Sequence, residues 1–231
     1  MHLKLDDIQS LAGEYTEKSP KNRVVELDNL KLFDSPLLAV ADAVDPLFLQ
    51  LKESNAVGPA HMSPREWMEE ATSVISYFLP FSAKVREANR ISGLPAKEWL
   101  YGRIEGEQFN RSLMDAIVKY LKEKGYQALA PSRDQRLSVV NRRSNWSERH
   151  VAFIAGLGTF SLNRSLITQS GSAGRIGSVI CNLSLNQLPE NIKRLMNTAQ
   201  NAALVFHVAR RLPSLKQGKI IRSAENTWIG F

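Results

Sequence analysis

Two glycine-bearing segments in the second half of the chain have the residue types of a site for an extended polar cofactor. They cover residues 156–163 and 171–178. Glycines let the backbone turn tightly and approach a ligand closely, and an arginine can bind carboxamide or phosphate groups. A lone G-x-G pair more often only ends a helix, and the third glycine of a dinucleotide fingerprint is missing here. The candidate cofactor-binding residues in these segments are Gly156, Gly158, Thr159, Phe160, Asn163, Gly174, Arg175 and Ser178.

Two aromatic residues are candidates to pack against a cofactor ring. They are Tyr101 and Trp146, and for Trp146 a place in the core or at a helix start is an equal alternative. Glu148 can serve the first turn of a helix, where the helix dipole favours negative charge, and His150 reads as a structural histidine. We assign no catalytic residue.

Metal ligands are not recognisable in the sequence. The single cysteine, Cys181, reads as a small apolar filler of a buried strand, and the four histidines have no ligand spacing. We therefore predict no metal site built from this chain.

Helices and strands alternate along the chain, which predicts one α/β domain. A capping box at Ser63–Glu66 starts a short helix, and Gly125 ends a long amphipathic one. The predicted helices cover 63–71, about 95–124 and 145–156. The predicted strands cover 73–80, 126–132, 165–168 and 176–183, the last two paired with each other.

The charge distribution and the hydropathy of the chain argue against nucleic acids and membranes as binding partners. Of the net charge of +7, residues 185–231 carry +5 from seven basic and two acidic residues, and residues 1–184 carry +2. The basic part lacks aromatic residues interleaved with the charges, so nucleic-acid binding is not expected. No apolar run is long enough to span a membrane and no signal peptide is recognisable, so we expect a cytoplasmic protein without membrane contact.

The run NWSERHVAFIAGLGTFSLN, followed by LIT and GSAGRIGSV, resembles the epoxyqueuosine-reductase-like family of iron–sulfur, corrinoid-dependent proteins. The stretches SPREWMEEATSVISYFLPFS and YGRIEGEQFNRSLMDAIVKYLKEKGY resemble the same family, so the likeness covers about 55–184. It implies a nitroreductase-like, corrinoid-binding α/β sandwich. It also implies cobalamin as cofactor, with electrons arriving from two 4Fe-4S clusters in an appended ferredoxin-type module.

Two departures within this region bear on the reaction. The family's reductases proper carry a catalytic Asp about six residues before the position of Glu148, where this chain reads Val140 to Asn145 without a carboxylate. Ser161 also stands where the family usually has Gly. Epoxyqueuosine itself is therefore a doubtful substrate.

The end of the chain departs further from the resemblance. Family members continue with the cluster-binding run Cys-x2-Cys-x2-Cys-x3-Cys-Pro, but residues 185–231 contain no cysteine. Read from one base earlier, the codons here permit four cysteines at that spacing, followed by proline. We predict a helical, aberrant tail that replaces the ferredoxin module through a change of reading frame, testable by sequencing the gene across codons 180 to 231. The positions concerned are Ala199, Ala202, Val205, Ala209 and Arg210.

These observations predict three regions: an N-terminal segment, 1–54, that packs on the core, a corrinoid-binding-like core, 55–184, and the tail, 185–231. The predicted function is the corrinoid-binding domain of an oxidoreductase that lacks its cluster ligands, and whether the chain is active stays open. One alternative is a non-catalytic cofactor carrier that forms a homodimer through the face left by the missing ferredoxin module. Another is a flavin nitroreductase-like enzyme, which rests on fold analogy alone.

Overall fold

A four-stranded antiparallel sheet forms the centre of the fold, in the strand order β3-β4-β10-β5. This computed structural model describes residues 3–90 and 92–186. The predicted helical tail and its re-read codons fall on residues outside these ranges. The helices are α1 (Leu5–Lys18), α2 (Leu47–Gln50), α3 (Pro64–Trp67), α4 (Ala83–Ala88), α5 (Lys97–Glu123) and α6 (Glu148–Ala155). The strands are β1 (Arg23–Val24), β2 (Leu30–Lys31), β3 (Leu37–Asp42), β4 (Ser73–Pro80), β5 (Ala128–Leu129), β6 (Val139–Val140), β7 (Arg143–Ser144), β8 (Gly158–Phe160), β9 (Leu166–Thr168) and β10 (Gly174–Cys181).

Strand β4 lies between β3 and β10 and is buried along its whole length. Its sequence, SVISYFLP, is nearly continuous in apolar and small residues, as expected of a strand covered on both faces. Strand β10 pairs with β4 over all eight residues. On its other side β10 pairs with β5 only at Ile180 and Cys181. The sheet is therefore widest at one end.

Each face of the sheet has its own hydrophobic core, because alternate residues of a strand point to opposite faces. On one face α1 and α5 cover a core that includes Ile75, Tyr77 and Val179. On the other face α6 covers a core that includes Val74 and Ile180. The arrangement is a single mixed α/β domain with three layers, which confirms the predicted mixed composition. All strand pairs are antiparallel.

Helix α5 packs closely on the sheet through two glycines. A Cβ on Gly102 would lie 2.8 Å from the Phe81 ring, and a Cβ on Gly106 would lie 2.7 Å from the Phe33 ring. The two phenylalanine rings stack with centroids 5.0 Å apart. The helix ends before Gly125, whose φ of +86° is the left-handed conformation expected of a glycine that follows a helix.

Three sequence-based boundaries or pairings are wrong. Residues 165–168 do not pair with 176–183, because β9 pairs with β8 in a separate hairpin while β10 pairs with β4 and β5. The short helix α3 keeps its capping box, in which the Ser63 amide donates to Glu66 at 2.7 Å, but it ends at Trp67 rather than near Ala71. The strand expected over 126–132 is limited to β5, since Pro131 starts a 3-10 helix, Pro131–Arg133.

One edge of the sheet is strand β3, and a side chain from α1 covers part of it. The Gln9 amide nitrogen donates to the Pro36 carbonyl at 2.7 Å, and the Gln9 amide oxygen accepts from the Leu38 amide at 3.2 Å. Gln9 thus makes the two hydrogen bonds that one residue of a further strand would make. Residues before position 55 supply this edge strand, and the domain boundary at 54 stays a prediction.

In the part of the chain that the structure describes, none of the helices combines the length and apolar character needed to cross a bilayer.

Candidate functional site

The structure distributes the ten predicted cofactor-binding residues over three neighbouring places. One group lies at the end of α6 and in the β8–β9 hairpin, a second lies under the start of α6, and the third lies on the α5 face of the sheet. The predicted single pocket is therefore divided by the sheet, because Arg175 and Ser178 point to opposite faces of β10. The three groups are Gly156, Gly158, Thr159, Phe160 and Asn163; Trp146 and Ser178; and Tyr101 and Arg175, with Gly174 beside Arg175 on the opposite face of β10.

The β8–β9 hairpin holds the first group. Gly156 has φ +85° and ends α6. A Cβ on Gly158 would lie 2.2 Å from the Ile167 carbonyl oxygen, so hairpin pairing alone requires this glycine. Thr159 is buried, and Phe160 packs on His150 with ring centroids 5.0 Å apart. Asn163 is exposed.

The exposed loop of this hairpin is held by its own polar side chains. The side-chain oxygen Oδ1 of Asn163 accepts from the Ser165 amide at 3.0 Å and from the Ser161 hydroxyl. Ser161, in place of the family's usual Gly, therefore has a structural role in shaping the loop. The loop presents polar groups to solvent beside the start of α6, where Arg149 donates to the Arg164 carbonyl at 3.1 Å.

A cleft of about 370 Å³ lies between β3 and the end of α6. It is lined by Gly156 and Leu157 at the end of α6 and by Gln169 after β9. Its other wall is Gln9 and residues 35–39. Its volume is at the small end of the range for ligand pockets. Of the ten predicted cofactor-binding residues, Gly156 is the one that lines this cleft.

A second hollow, of about 490 Å³, lies at the end of α1. It is lined by Leu11, Tyr15 and neighbouring residues up to Lys21, and it contains none of the predicted site residues. We place the candidate site at the cleft beside α6, where the polar side chains of two segments converge.

The second group surrounds a carboxyl group inside the protein. The Ser178 hydroxyl donates to Glu148 Oε2 at 2.6 Å, and the Ser132 hydroxyl donates to Glu148 Oε1. Burial raises the pKa of Glu148 from 4.5 to about 7, although the hydroxyl donors oppose this change. Glu148 lies in the first turn of α6, as the sequence predicts, but its carboxyl group also bonds to Ser132 and Ser178, which the sequence did not indicate.

Trp146 belongs to the core beside this carboxyl group. It is 2% exposed, and its indole nitrogen donates to the Ser178 hydroxyl at 3.0 Å. Phe48 and His61 stack on its ring, with centroids 6.2 and 5.8 Å away. The structure thus gives Trp146 the core position that the sequence left open as the alternative.

His61 is a buried histidine that the sequence did not single out. It is 1% exposed, and neither ring nitrogen has a hydrogen-bond partner among the described residues. Burial, followed by the positive groups of His150 and Lys52, lowers the pKa of His61 from 6.5 to about 4. His150 differs, because its Nδ1 lies 2.7 Å from the Ser147 hydroxyl. His61 is therefore neutral at physiological pH.

The third group lies on the α5 side. Arg175 ion-pairs with Glu107 at 3.2 Å and also donates to the Arg103 carbonyl. A Cβ on Gly174 would lie 2.4 Å from the Leu79 carbonyl oxygen, so close strand pairing accounts for this glycine. Tyr101 packs against the core beneath α5. In this position Arg175 can meet a ligand only beside α5.

Metal binding is not indicated in the residues covered by the structure. Within 3–90 and 92–186, no three His, Cys, Asp or Glu side chains come together. Cys181 is fully buried, and burial raises the pKa of its thiol to about 11. The thiol is therefore protonated and inert, as expected of an apolar filler.

The fold is similar to several solved epoxyqueuosine reductases. A selenomethionine-labelled epoxyqueuosine reductase superposes with a TM-score of 0.48 and 18% identity, over 79% of this chain and 48% of that one. The enzyme from Bacillus subtilis gives a TM-score of 0.46 and 17% identity, over 79% and 47%. The enzyme from Streptococcus thermophilus gives 0.45 and 17%, over 80% and 47%. This chain thus spans about half the length of each.

No protein-family model matches the chain, and no curated protein matches it. At these identities and TM-scores, none of the structural likenesses assigns a family, an activity or a substrate to this chain.

Proposed function

We propose that this chain is the corrinoid-binding domain of an oxidoreductase of the epoxyqueuosine-reductase-like type. The observation that carries the proposal is the cleft beside α6, because Gly156 of the first glycine-bearing segment lines it together with Gln169, which lies two residues before the second segment. When bound, a corrinoid supplies a cobalt centre that passes electrons to a substrate. The electrons themselves come from a separate iron–sulfur donor.

The residues of the cleft fit the edge of such a cofactor rather than the whole of it. A corrinoid carries amide side chains around its ring, and these need hydrogen-bonding partners. Gln9, Ser35 and Gln169 offer such partners, while Leu37 and Leu157 offer apolar contact. A cleft of about 370 Å³ leaves the rest of the cofactor on the surface.

The first experiment is a titration of cob(II)alamin, with reductant present and the protein in excess. We expect a change in the visible spectrum that saturates at one equivalent. Gln169→Trp obstructs the cleft and should weaken binding at least tenfold. Gln50→Trp is the matched control, because Gln50 is exposed on α2 and lies outside the cleft. An unchanged cobalamin spectrum contradicts the proposal.

The same titration with a flavin separates the main proposal from the nitroreductase-like alternative. Binding of flavin with no response to cobalamin would favour that alternative. Light scattering addresses the carrier alternative, because self-association through an exposed face requires a dimer at high concentration. A strict monomer counts against it.

A further inference from the structure

The carboxyl group of Glu148 has no ion-pair partner among the described residues, and two serines are its hydrogen-bond donors. Two titratable groups lie on the α5 side of the sheet, opposite Glu148. Glu107, which ion-pairs there with Arg175, raises the pKa of Glu148, and Tyr77 points to the same side from β4. A carboxyl group in such surroundings is held near the point where it gains and loses a proton at neutral pH.

Ser76 is the neighbour that this network leaves without a partner. It is fully buried on β4, and its hydroxyl makes no hydrogen bond in the part of the chain that the structure describes. A buried hydroxyl without a hydrogen-bond partner destabilises the fold, so its presence requires an explanation. The strand register provides one, because Ser76 lies directly opposite Ser178.

A row of small residues crosses the sheet from Glu148 to the cleft. Ser178 on β10 is opposite Ser76 on β4, and Ser76 is opposite Ala39 on β3. All three point to the α6 face, since Ala39 belongs to the core on that side and Ser178 bonds to Glu148. Ala39 also lines the cleft. Because neighbouring strands are about 4.8 Å apart, Ser76 is one strand spacing from the cleft wall.

We propose that Glu148, Ser178 and Ser76 form a proton relay that leads from the Glu148 carboxyl group to the strand beside the cleft wall. In the ionised state Ser178 donates to the Glu148 carboxylate, and Ser76 lacks a partner. In the protonated state the Glu148 carboxyl donates to the Ser178 oxygen, so the Ser178 hydroxyl turns to Ser76. Opposed residues of an antiparallel pair have Cβ atoms about 4.5–5.5 Å apart, which places the two hydroxyls within reach after side-chain rotation.

Trp146 limits which groups the Ser178 hydroxyl can donate to. Its indole nitrogen is a donor only, so it bonds to the Ser178 oxygen in both states and leaves the Ser178 hydroxyl hydrogen for Glu148 or for Ser76. The relay therefore has two alternative arrangements, each with Ser178 fully bonded. Ser76 gains its partner in the protonated arrangement.

The role of the relay in reduction rests on the proposed function. A two-electron reduction consumes two electrons and two protons. Here an iron–sulfur donor delivers the electrons one at a time. The protonated Glu148 carboxyl supplies one of the protons and becomes a carboxylate, and water supplies the other. Glu148 then takes up a proton from water before the next turnover, so the protons and charges balance.

The test is a pH titration of the cofactor-free protein, followed by 13C NMR of glutamate side-chain carboxyls and assigned with Glu148→Gln. We expect one glutamate that titrates near neutral pH and disappears in this variant. Ser76→Ala should lower the pKa of Glu148 by about 0.5 to 1, because the protonated arrangement loses its last hydrogen bond. Ser178→Ala should raise it, because the carboxylate loses a donor.

Ser112→Ala is the matched control, since Ser112 donates to its own helix at Phe109 and does not contact the network. It should leave the pKa of Glu148 unchanged. Equal titration curves for Ser76→Ala and Ser112→Ala would overturn the relay, even if cobalamin binds. A displaced curve with no cobalamin binding would contradict the proposed function and leave the relay in place. The two failures are therefore distinguishable.

Discussion

Glu148 is the residue whose role differs most from the sequence expectation. An acid at the first position of a helix is usually explained by the helix dipole, and nothing in the local sequence shows that its side chain reaches two other elements. Ser132 and Ser178, its hydrogen-bond donors, are 16 and 30 residues away. The sequence contained one indication of this network, which is the polar residue Ser76 in the middle of the largely apolar, buried strand β4.

Removing the charge of Glu148 should stabilise the protein at alkaline pH. The pKa of Glu148 in the folded state, about 7, lies above its ordinary value of 4.5. Between these two values the folded protein holds a proton that the unfolded chain has released, so the free energy of unfolding falls as pH rises and stays low above pH 7. Glu148→Gln should therefore gain about 1–3 kcal/mol at pH 8 and nothing at pH 4, measured by urea unfolding. A loss of stability at pH 8 would contradict this.

His61 should lower the stability of the folded protein in acid, whereas Glu148 lowers it at alkaline pH. Its pKa in the folded state, about 4, lies below its ordinary value of 6.5. As pH falls through this range the unfolded chain binds a proton that the buried ring does not, so the free energy of unfolding falls. His61→Phe keeps an aromatic ring beside Trp146 and removes two unpartnered nitrogens. We expect a gain of about 2 kcal/mol at pH 5 in chemical unfolding. An unchanged decline in acid would show that other groups control it.

At the scale of elements, the strongest local patterns were predicted well. The capping box of α3, strand β4 and the glycine after α5 are each specified within a few neighbouring residues. The pairing of strands was not, because β9 and β10 are both short apolar runs and either could pair with the other. The turn at Gly171, with φ +88°, instead directs β10 into the central sheet and leaves β9 with β8.

The close contact of α5 with the sheet predicts an unusual helix substitution. Glycine to alanine inside a helix normally stabilises it by about 1 kcal/mol. Gly106→Ala should instead destabilise the protein by about 1–3 kcal/mol, because the new Cβ would lie 2.7 Å from the Phe33 ring. Thermal unfolding measures the change. Gln108→Ala is the control on the exposed side of the same helix and should be neutral or slightly stabilising. Equal stability of the two variants would contradict the packing argument.

At the scale of the whole molecule, Glu148 and His61 should compensate each other. Between about pH 4.5 and 6.5 a rise in pH weakens folding through Glu148 and strengthens it through His61, so the two slopes oppose. We expect a nearly flat stability profile in this range for the parent protein. Glu148→Gln should expose the acid-sensitive slope, and His61→Phe the alkali-sensitive one. Urea midpoints at several pH values measure all three, and parallel profiles would refute the compensation.

The amide of Gln9 has a consequence for association between molecules. An open sheet edge can recruit an extended segment of another chain, which adds to the sheet as an extra strand. Gln9 occupies the hydrogen-bonding positions of Pro36 and Leu38 with a single side chain. That side chain therefore blocks the addition of a further strand at these positions. Loss of this side chain would expose the sheet edge and remove part of the cleft wall. Protection from aggregation and the shape of the candidate binding site therefore depend on the same glutamine.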